Sequence, residues 1–474
     1  MKRLYPYLKP YLGRMTWGLI IKFTGTIMDL LLPWILSYLI DEIVPLRDMR
    51  LIIFWGVMMA LCAVAALVTN VVANRMASWV AQHTTENIRH DLFQKISYLS
   101  CKQIDEYTIP SLEARLTTDT YNIHQLVGRM QRLGVRAPIL LLGGILITLM
   151  LDWALALVLI SLLPLIGILV YFVSKRGVPM YATLQKKVDA MVRTVRENAS
   201  GVRVIRALSK GEYEKDRFKD VNSEVVYWEK KAGITMSLTN PMMNLLLNGG
   251  LTAVVVVGAW RVNYGLMQTG AILAFLTYFT IILNAMLSIT RMFVMFSRGS
   301  ASAQRIAEVL DTPEDLAETQ EDAKPSPYHI EFDHVSFSYQ KKESNVEDIT
   351  FRLKRGETLG IIGATGSGKS TLMSLLMRLY DADSGGVFID GRPIASIPAG
   401  ELHRKFGVTF QNDVLFADTI YENIDFGRGL PEEQIRRAAE CAQAMEFING
   451  LEDGFQHKLT SRGTNLSGGQ KQRL

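Results

Sequence analysis

Cysteine is scarce. The 474-residue chain has three, Cys62, Cys101 and Cys441, far apart and in unlike contexts. No Cys-x-x-Cys pair exists, which excludes a disulfide scaffold and a cysteine-based zinc module. The seven histidines are scattered. Charge is also sparse, at 20% of residues, against about 25% in soluble domains. The hydrophobic share is 49%, which excludes intrinsic disorder. A separate basic arm for nucleic acid is absent. Residues 1–327 hold 34 Lys+Arg against 26 Asp+Glu, while residues 328–474 hold 17 against 20. The basic part is thus also the apolar part, and no nucleic-acid partner is expected.

What is present is a set of apolar stretches long enough to cross a bilayer. Six are expected: Thr16–Ile40, Leu51–Ala73, Leu133–Leu151, Trp153–Val173, Leu238–Trp260 and Ala271–Phe296. The first is not a signal peptide, being too long and carrying Asp29 centrally. Lys and Arg set the orientation. Residues 1–15 carry four, residues 74–132 seven and residues 174–236 fourteen, whereas the alternate loops are short and poor in them. Both termini are expected in the cytoplasm, with the chain in the plasma membrane.

The two longer inside segments do not read as loops. Val188, Met191, Val192, Val195, Ala199 and Val202 recur at helical spacing. Membrane helices are therefore expected to continue into the cytoplasm and turn near Ile109–Pro110 and near Ser209–Gly211. Thirty residues of such helix would project ~45 Å. An acidic connector, Glu308–Asp322, and the linker Lys324-Pro325-Ser326-Pro327 follow the sixth span. A strand begins near Tyr328, with Ile330, Phe332, Val335 and Phe337 apolar. The expected division is a transmembrane domain over 1–310, a linker over 311–327 and a nucleotide-binding domain over 328–474.

Gly363-Ala364-Thr365-Gly366-Ser367-Gly368-Lys369-Ser370-Thr371 matches the phosphate-binding pattern G-x-x-x-x-G-K-[ST]. Thr358–Ile362 before it suits a buried strand, and Leu372–Leu379 after it suits a helix. Glycines let backbone N–H groups converge on phosphate oxygens, and the helix N-terminus adds partial positive charge. Lys369 supplies a point charge to the β/γ-phosphates, and the Ser370 hydroxyl suits Mg²⁺. A second anion-binding helix start is Leu466-Ser467-Gly468-Gly469-Gln470. Ser467 is placed to cap, with Gln470 three residues on.

With these motifs in this order, the whole chain resembles ATP-binding cassette (ABC) transporters of the exporter type, specifically half-transporters. Glu197–Arg206, Asp91-Leu92-Phe93, and Arg115-Leu116 with Asp119 resemble the family's cytoplasmic hairpins. Tyr339 falls where the family stacks an aromatic ring on adenine. Gln411, in Val408–Asp413, matches the Q-loop, which touches Mg²⁺ and the membrane domain. Leu415-Phe416 with Glu422-Asn423-Ile424 also fits. The resemblance implies a multidomain membrane protein: an all-α six-helix transmembrane domain with long cytoplasmic extensions, then an α/β P-loop cassette. It implies ATP and Mg²⁺ as ligands, with Ser370 and Gln411 at the metal. It implies a second half-transporter as partner, homo- or heterodimeric, each ATP lying between the phosphate loop of one chain and the signature of the other. The expected cargo is an amphipathic or hydrophobic small molecule, lipid or peptide.

The family places a Walker B Asp and a catalytic Glu after the signature, and the sequence ends at Leu474. A C-terminally truncated cassette with negligible hydrolysis of its own is therefore expected. Asp390, ending the apolar run Val387-Phe388-Ile389, is read as a turn with Gly391 rather than as a metal ligand. Lys458 and Ser461 replace acids usual before the signature, and Ser111 stands where a Gly is usual. Lys22 and Asp29 share roughly one helix face, either lining a cavity or, for Lys22, snorkelling to the boundary. Asn240, Asn244 and Asn248 repeat every four residues and are read as packing contacts. Two alternatives to the exporter subunit are a non-hydrolysing partner in an asymmetric heterodimer and a regulatory membrane protein with a cassette sensor.

Overall fold

The computed structural model describes residues 4–320, 323, 325–339, 344–411 and 414–474, with the backbone alone at 170, 174, 178, 239, 240 and 290. Lys2, Arg3, Asp322, Lys324, Asn412, Asp413 and the Asn240 side chain lie outside the described residues. The chain forms two compact units. One comprises Met1–Leu99 and Tyr107–Pro313; the other comprises Ser100–Glu106 and Glu314–Leu474.

The first unit is helical. Its elements are α1 (Leu12–Tyr38), α2 (Met49–Ser97), α4 (Ile109–Ala114), α5 (Thr120–Leu151), α6 (Trp153–Ala207), α7 (Gly211–Ser237), α8 (Thr239–Asn263) and α9 (Thr269–Leu310). The short helix α3 (Cys101–Tyr107) sits between α2 and α4. Among the described residues, six helical segments are long and apolar enough to cross a membrane. One residue divides α5 from α6. Asp152 is extended, and its Oδ1 accepts the N–H groups of Ala154 and Leu155, both at 2.9 Å. Its other oxygen is paired with Arg261 of α8 at 2.8 Å. The core brings Phe275, Tyr278, Phe279 and Ile282 of α9 against Leu155, Leu159 and Ile166 of α6 and Leu30 of α1. The Tyr278 hydroxyl donates to the Leu30 carbonyl at 2.6 Å, so this buried phenol is satisfied.

The long extensions exist. At 1.5 Å per residue, the 49 residues of α2 and the 55 of α6 run about 74 and 83 Å, far beyond a ~30 Å hydrocarbon core. The second turn lies at Leu208–Lys210, with Ser209 at φ +54°. The first is not a single turn at Ile109–Pro110. It is two breaks, at Tyr98–Ser100 and at Thr108 (φ +65°), flanking α3. Pro110 stands in the first turn of α4, where a missing N–H costs nothing.

The apolar face expected on α6 is rotated. Val192, Val195, Ala199 and Val202 are exposed. The covered positions are Leu184, Lys187, Val188, Met191, Thr194, Asn198, Gly201 and Ile205, and the neighbouring α7 turns Phe218, Val225, Trp228 and Ala232 inward. Polar residues hold part of this seam, because Lys187–Glu224 and Glu197–Arg217 pair across the two helices. A scan for apolar residues alone therefore misplaces the face.

Arg115–Asp119 forms a wide π turn between α4 and α5. The buried Asp119 carboxylate accepts from Arg305 Nε at 2.8 Å and Ser302 Oγ at 2.8 Å, both on α9. Arg115 Nε donates to the Arg305 carbonyl at 3.0 Å, and its guanidinium lies over Tyr107 and near Glu308. Glu308, the first acid of the connector, thus meets a guanidinium.

The second unit holds an antiparallel sheet in the order β2 (Val346–Leu353), β1 (Ile330–Phe337), β3 (Ser384–Ile389), β4 (Arg392–Pro393). Phe332 faces Phe351 on one side and Val387 on the other. Helix α10 (Lys369–Leu376) packs Leu372, Leu375 and Leu376 onto this sheet. A second core, around Leu415, Ile420, Ala439, Ile448, Leu459 and Leu466, gathers α12 (Ile420–Asp425), α13 (Glu432–Cys441) and α14 (Met445–Asn449), preceded by the short α11 (Ala399–His403). The strand expected at Thr358–Ile362 does not form. That run is irregular and exposed, Ile362 at 96%. A buried strand needs ladder partners for its N–H and C=O groups. None of the described strands pairs with this run.

Asp152→Ala removes a helix cap and strands Arg261. It is expected to cost about 3 kcal/mol and to lower the thermal midpoint of the detergent-solubilised protein by several degrees. An unchanged midpoint contradicts this account of the α5–α6 junction.

Candidate functional site

The phosphate-loop geometry starts with two left-handed glycines, Gly366 at φ +89° and Gly368 at φ +87°. A Cβ on Gly368 would lie 2.7 Å from the Asn345 carbonyl oxygen, so an L side chain is excluded by both backbone and space. Gly368 is the N-cap of α10 and offers no side-chain cap, leaving the first-turn N–H groups open. Lys369 Nζ reaches back over the loop, donating to the carbonyls of Gly363 at 2.9 Å and Ala364 at 2.8 Å. The Ser367 N–H closes the turn on Ala364 O at 3.2 Å. Thr365 and Ser370 are exposed, while Thr371 is buried on the sheet side. One loop thus gathers an ammonium, open N–H groups and an exposed hydroxyl, the donor set that suits a polyphosphate.

Tyr339 lies beside this loop. Its hydroxyl is 3.4 Å from Thr371 Oγ1, its N–H donates to Asn345 Oδ1 at 3.0 Å, and it is 40% exposed. Phe337 and Tyr380 meet it edge-on, at 4.8 and 5.0 Å between ring centroids, leaving ring surface for a planar ligand. Tyr380 is itself fixed by donating to Asp105 Oδ2 at 2.6 Å. Burial, and then this bond, push its phenol well above the ordinary value. Asp105 and Tyr380 were not singled out from sequence. They are far apart along the chain, and nothing local pairs them.

The signature begins α15 (Gly468–Gln472). The capping box forms in full: Gln470 N–H donates to Ser467 Oγ at 3.3 Å, and Ser467 N–H to Gln470 Oε1 at 2.8 Å. Gly468 and Gly469 are exposed, and a Cβ on either would meet nothing within 4 Å. The fold of this chain therefore does not itself require glycine at these positions. Leu466 anchors the motif in the second core, whereas the phosphate loop stands on the first. Among the described residues, no hydrogen bond joins the two motifs.

Gln411 is exposed in irregular chain, and among the described residues no hydrogen bond ties it to Ser370. Asn423 explains why Phe416 and Glu422–Ile424 belong together. Its side chain accepts the Phe416 N–H at 2.8 Å and donates to the Phe416 carbonyl at 3.1 Å. Asp390 and Gly391, at φ +51° and +75°, form the two-residue turn between β3 and β4. The Asp390 carboxyl bonds His329 Nδ1 at 2.7 Å and is held below its usual pKa by it.

In the first unit, Lys22 does not snorkel. It is 3% exposed and donates to Asn70 Oδ1 at 2.8 Å and Asn74 Oδ1 at 3.1 Å. Asn70 Nδ2 in turn donates to Asp29 Oδ2 at 3.3 Å, which also pairs with Arg136 at 3.1 Å.

Six membrane-length helices and a phosphate-loop domain on one chain define a polytopic membrane protein with a fused nucleotide-binding module. Residues 15–286 match the model of the ABC transporter transmembrane region, and residues 346–474 match that of the ABC transporter domain. An uncharacterized ABC transporter ATP-binding protein of Bacillus subtilis, YfiB, is 33% identical over 100% of this chain and 83% of its own length. A counterpart from Mycobacterium bovis, Mb1304c, is 30% identical over 99% and 82%. An ATP-dependent lipid A-core flippase of Hahella chejuensis is 30% identical over 83% of this chain and 68% of its own length. The chain belongs to the ABC transporter family and is a half-transporter of the exporter type, built from a helical membrane domain followed by a P-loop cassette.

Gly368→Ala is expected to abolish binding of a fluorescent ATP analogue and to lower the cassette's thermal midpoint. Wild-type nucleotide affinity in that variant would show that the left-handed cap is not needed.

Proposed function

We propose that the phosphate loop Gly363–Thr371 binds the ATP phosphates through Lys369 and the open N–H groups of α10, with Tyr339 against the adenine. The observation that carries this is the Lys369 ammonium held over a turn that only glycine can make. Mg²⁺ fits the exposed Ser370 hydroxyl, with Gln411 as the second protein oxygen. Such an ion needs few protein ligands when phosphates supply the rest. Bound there, it would neutralise phosphate charge.

The signature Ser467-Gly468-Gly469-Gln470 serves a second half-transporter. Its glycines are open in this chain, so the close approach they permit belongs to a ligand held by another subunit. ATP then joins two cassettes and biases the pair toward a closed state that binds it better. The transmembrane domain over 1–310, linked through 311–327 to the cassette over 328–474, carries an amphipathic or hydrophobic cargo outward across the plasma membrane. The relative named a lipid A-core flippase supports a lipid-like cargo. Lys and Arg on the inner segments support cytoplasmic termini.

Lys369→Ala is expected to weaken ATP binding by about a hundredfold, measured by equilibrium dialysis in lipid nanodiscs. Equal binding in both proteins defeats the assignment.

A further inference from the structure

A cavity of about 930 Å³ within the first unit is lined by Lys22 of α1, Arg129, Arg132 and Arg136 of α5, and Arg291 and Arg298 of α9. Tyr, Asn, Gln and Ser side chains and a few apolar ones complete its wall, and no Asp or Glu is among its lining residues. The cations are arranged rather than scattered. Arg129, Arg132 and Arg136 follow i, i+3, i+7 spacing, and Arg291 and Arg298 follow i, i+7, so each set shares one helix face. Arg129 and Arg132 precede the third span and Arg298 follows the sixth, while Lys22, Arg136 and Arg291 lie inside their spans within about two turns of that end.

One carboxylate answers six cations. Among the described residues Asp29 forms an ion pair with Arg136 alone. Among the described residues Lys22 donates only to the amide oxygens of Asn70 and Asn74. Arg132 donates to its own helix at Gly128 O, and Arg291 to Ser288 Oγ. Arg136 Nε is buried and bonds nothing among the described residues. Like charges gathered in one partly dry space repel strongly, and charges at membrane depth are kept where they face a cavity with a ligand or counter-ion. Basic pockets between membrane helices take anionic lipid heads.

The same two helices carry an apolar counterpart. Leu31 and Trp34 of α1 with Ile147, Met150 and Leu151 of α5 form a second, apolar pocket. From Arg136 to Ile147 is eleven residues, ~16 Å along α5, about the hydrocarbon depth of one leaflet. We propose that the cationic cavity binds the phosphate-type anionic head of an amphiphile whose chain lies toward this apolar pocket. As a statement about cargo this rests on the export reading above. As a statement about binding it stands on the cavity alone.

The test therefore measures binding without nucleotide, on the full chain in neutral detergent. Tail-labelled phosphatidylglycerol is expected to bind at least tenfold more tightly than phosphatidylcholine with the same chains. The double variant Arg129→Gln with Arg298→Gln removes two exposed arginines that make no hydrogen bond or ion pair among the described residues, so its thermal midpoint should match wild type. It is expected to lose about 25-fold in phosphatidylglycerol affinity, roughly fivefold per charge, and to hold phosphatidylcholine within twofold. Glycerol phosphate, the head without chains, should compete only at concentrations at least a hundredfold above those of the lipid. Equal affinity for the two lipids in wild type, which needs no variant, overturns the proposal. So does phosphatidylglycerol binding indifferent to the double variant, or glycerol phosphate as potent as the lipid. ATP-analogue binding on the same samples separates the two readings. Nucleotide binding without lipid selectivity defeats this proposal only, and lipid selectivity without nucleotide binding defeats only the nucleotide assignment.

Discussion

An arginine or lysine at membrane depth is tolerated only against a counter-charge, a polar group or water. This chain holds its helix-borne charges in two ways. At Asp152–Arg261, at the ends of spans, and at Asp119–Arg305, in the extensions, the charges close on each other and fasten one helix to another. Around Lys22 and Arg132 they close on amides, a carbonyl or nothing charged at all. The first arrangement fixes the scaffold, and the second leaves net positive charge facing a cavity. The phosphate loop repeats the second arrangement on a smaller scale, with Lys369 held by carbonyls rather than by a carboxylate. Groups satisfied only by neutral partners are the ones available to an incoming anion.

Much of this was legible in the sequence, for a physical reason in each case. Spans are set by hydropathy over about twenty residues, a signal that no tertiary contact overturns. The phosphate loop and the capping box at Ser467 are local, so residue type and spacing specify them. The glycine-dependent turn at Gly391 is equally local. The misplaced face on α6 failed because the packed seam uses Thr194, Asn198 and paired charges, not an apolar stripe. Thr358–Ile362 failed because strand formation depends on neighbours that periodicity does not supply. The arginine row of α5 was present in the sequence at helical spacing. There Arg129 and Arg132 count only among the orientation-setting charges of residues 74–132 and Arg136 falls inside the third span, since spacing alone does not show that a face lines a cavity.

The two units are organised differently. In the first, long-range order comes from side chains tying distant turns of continuous helices, such as the Tyr278 hydroxyl on the Leu30 carbonyl. In the second, two small hydrophobic cores each carry one anion-binding motif. The phosphate loop and the signature thus stand on separate foundations within one chain, which leaves each free to face a ligand independently.

The two longest helices differ in one respect that matters mechanically. Helix α2 runs 49 residues with no proline inside it, whereas α6 contains Pro164 and Pro179. A proline-free helix behaves as a stiff rod, while each interior proline deletes a backbone bond and concentrates bending at its own turn. Tilting a ~45 Å arm of α2 by about 5° would carry its far end ~4 Å with little loss to flexing. The same tilt applied to α6 would be partly absorbed near Pro179. One arm of this membrane unit is thus a lever and the other a jointed strut, so displacement at the two extensions need not reach the spans equally.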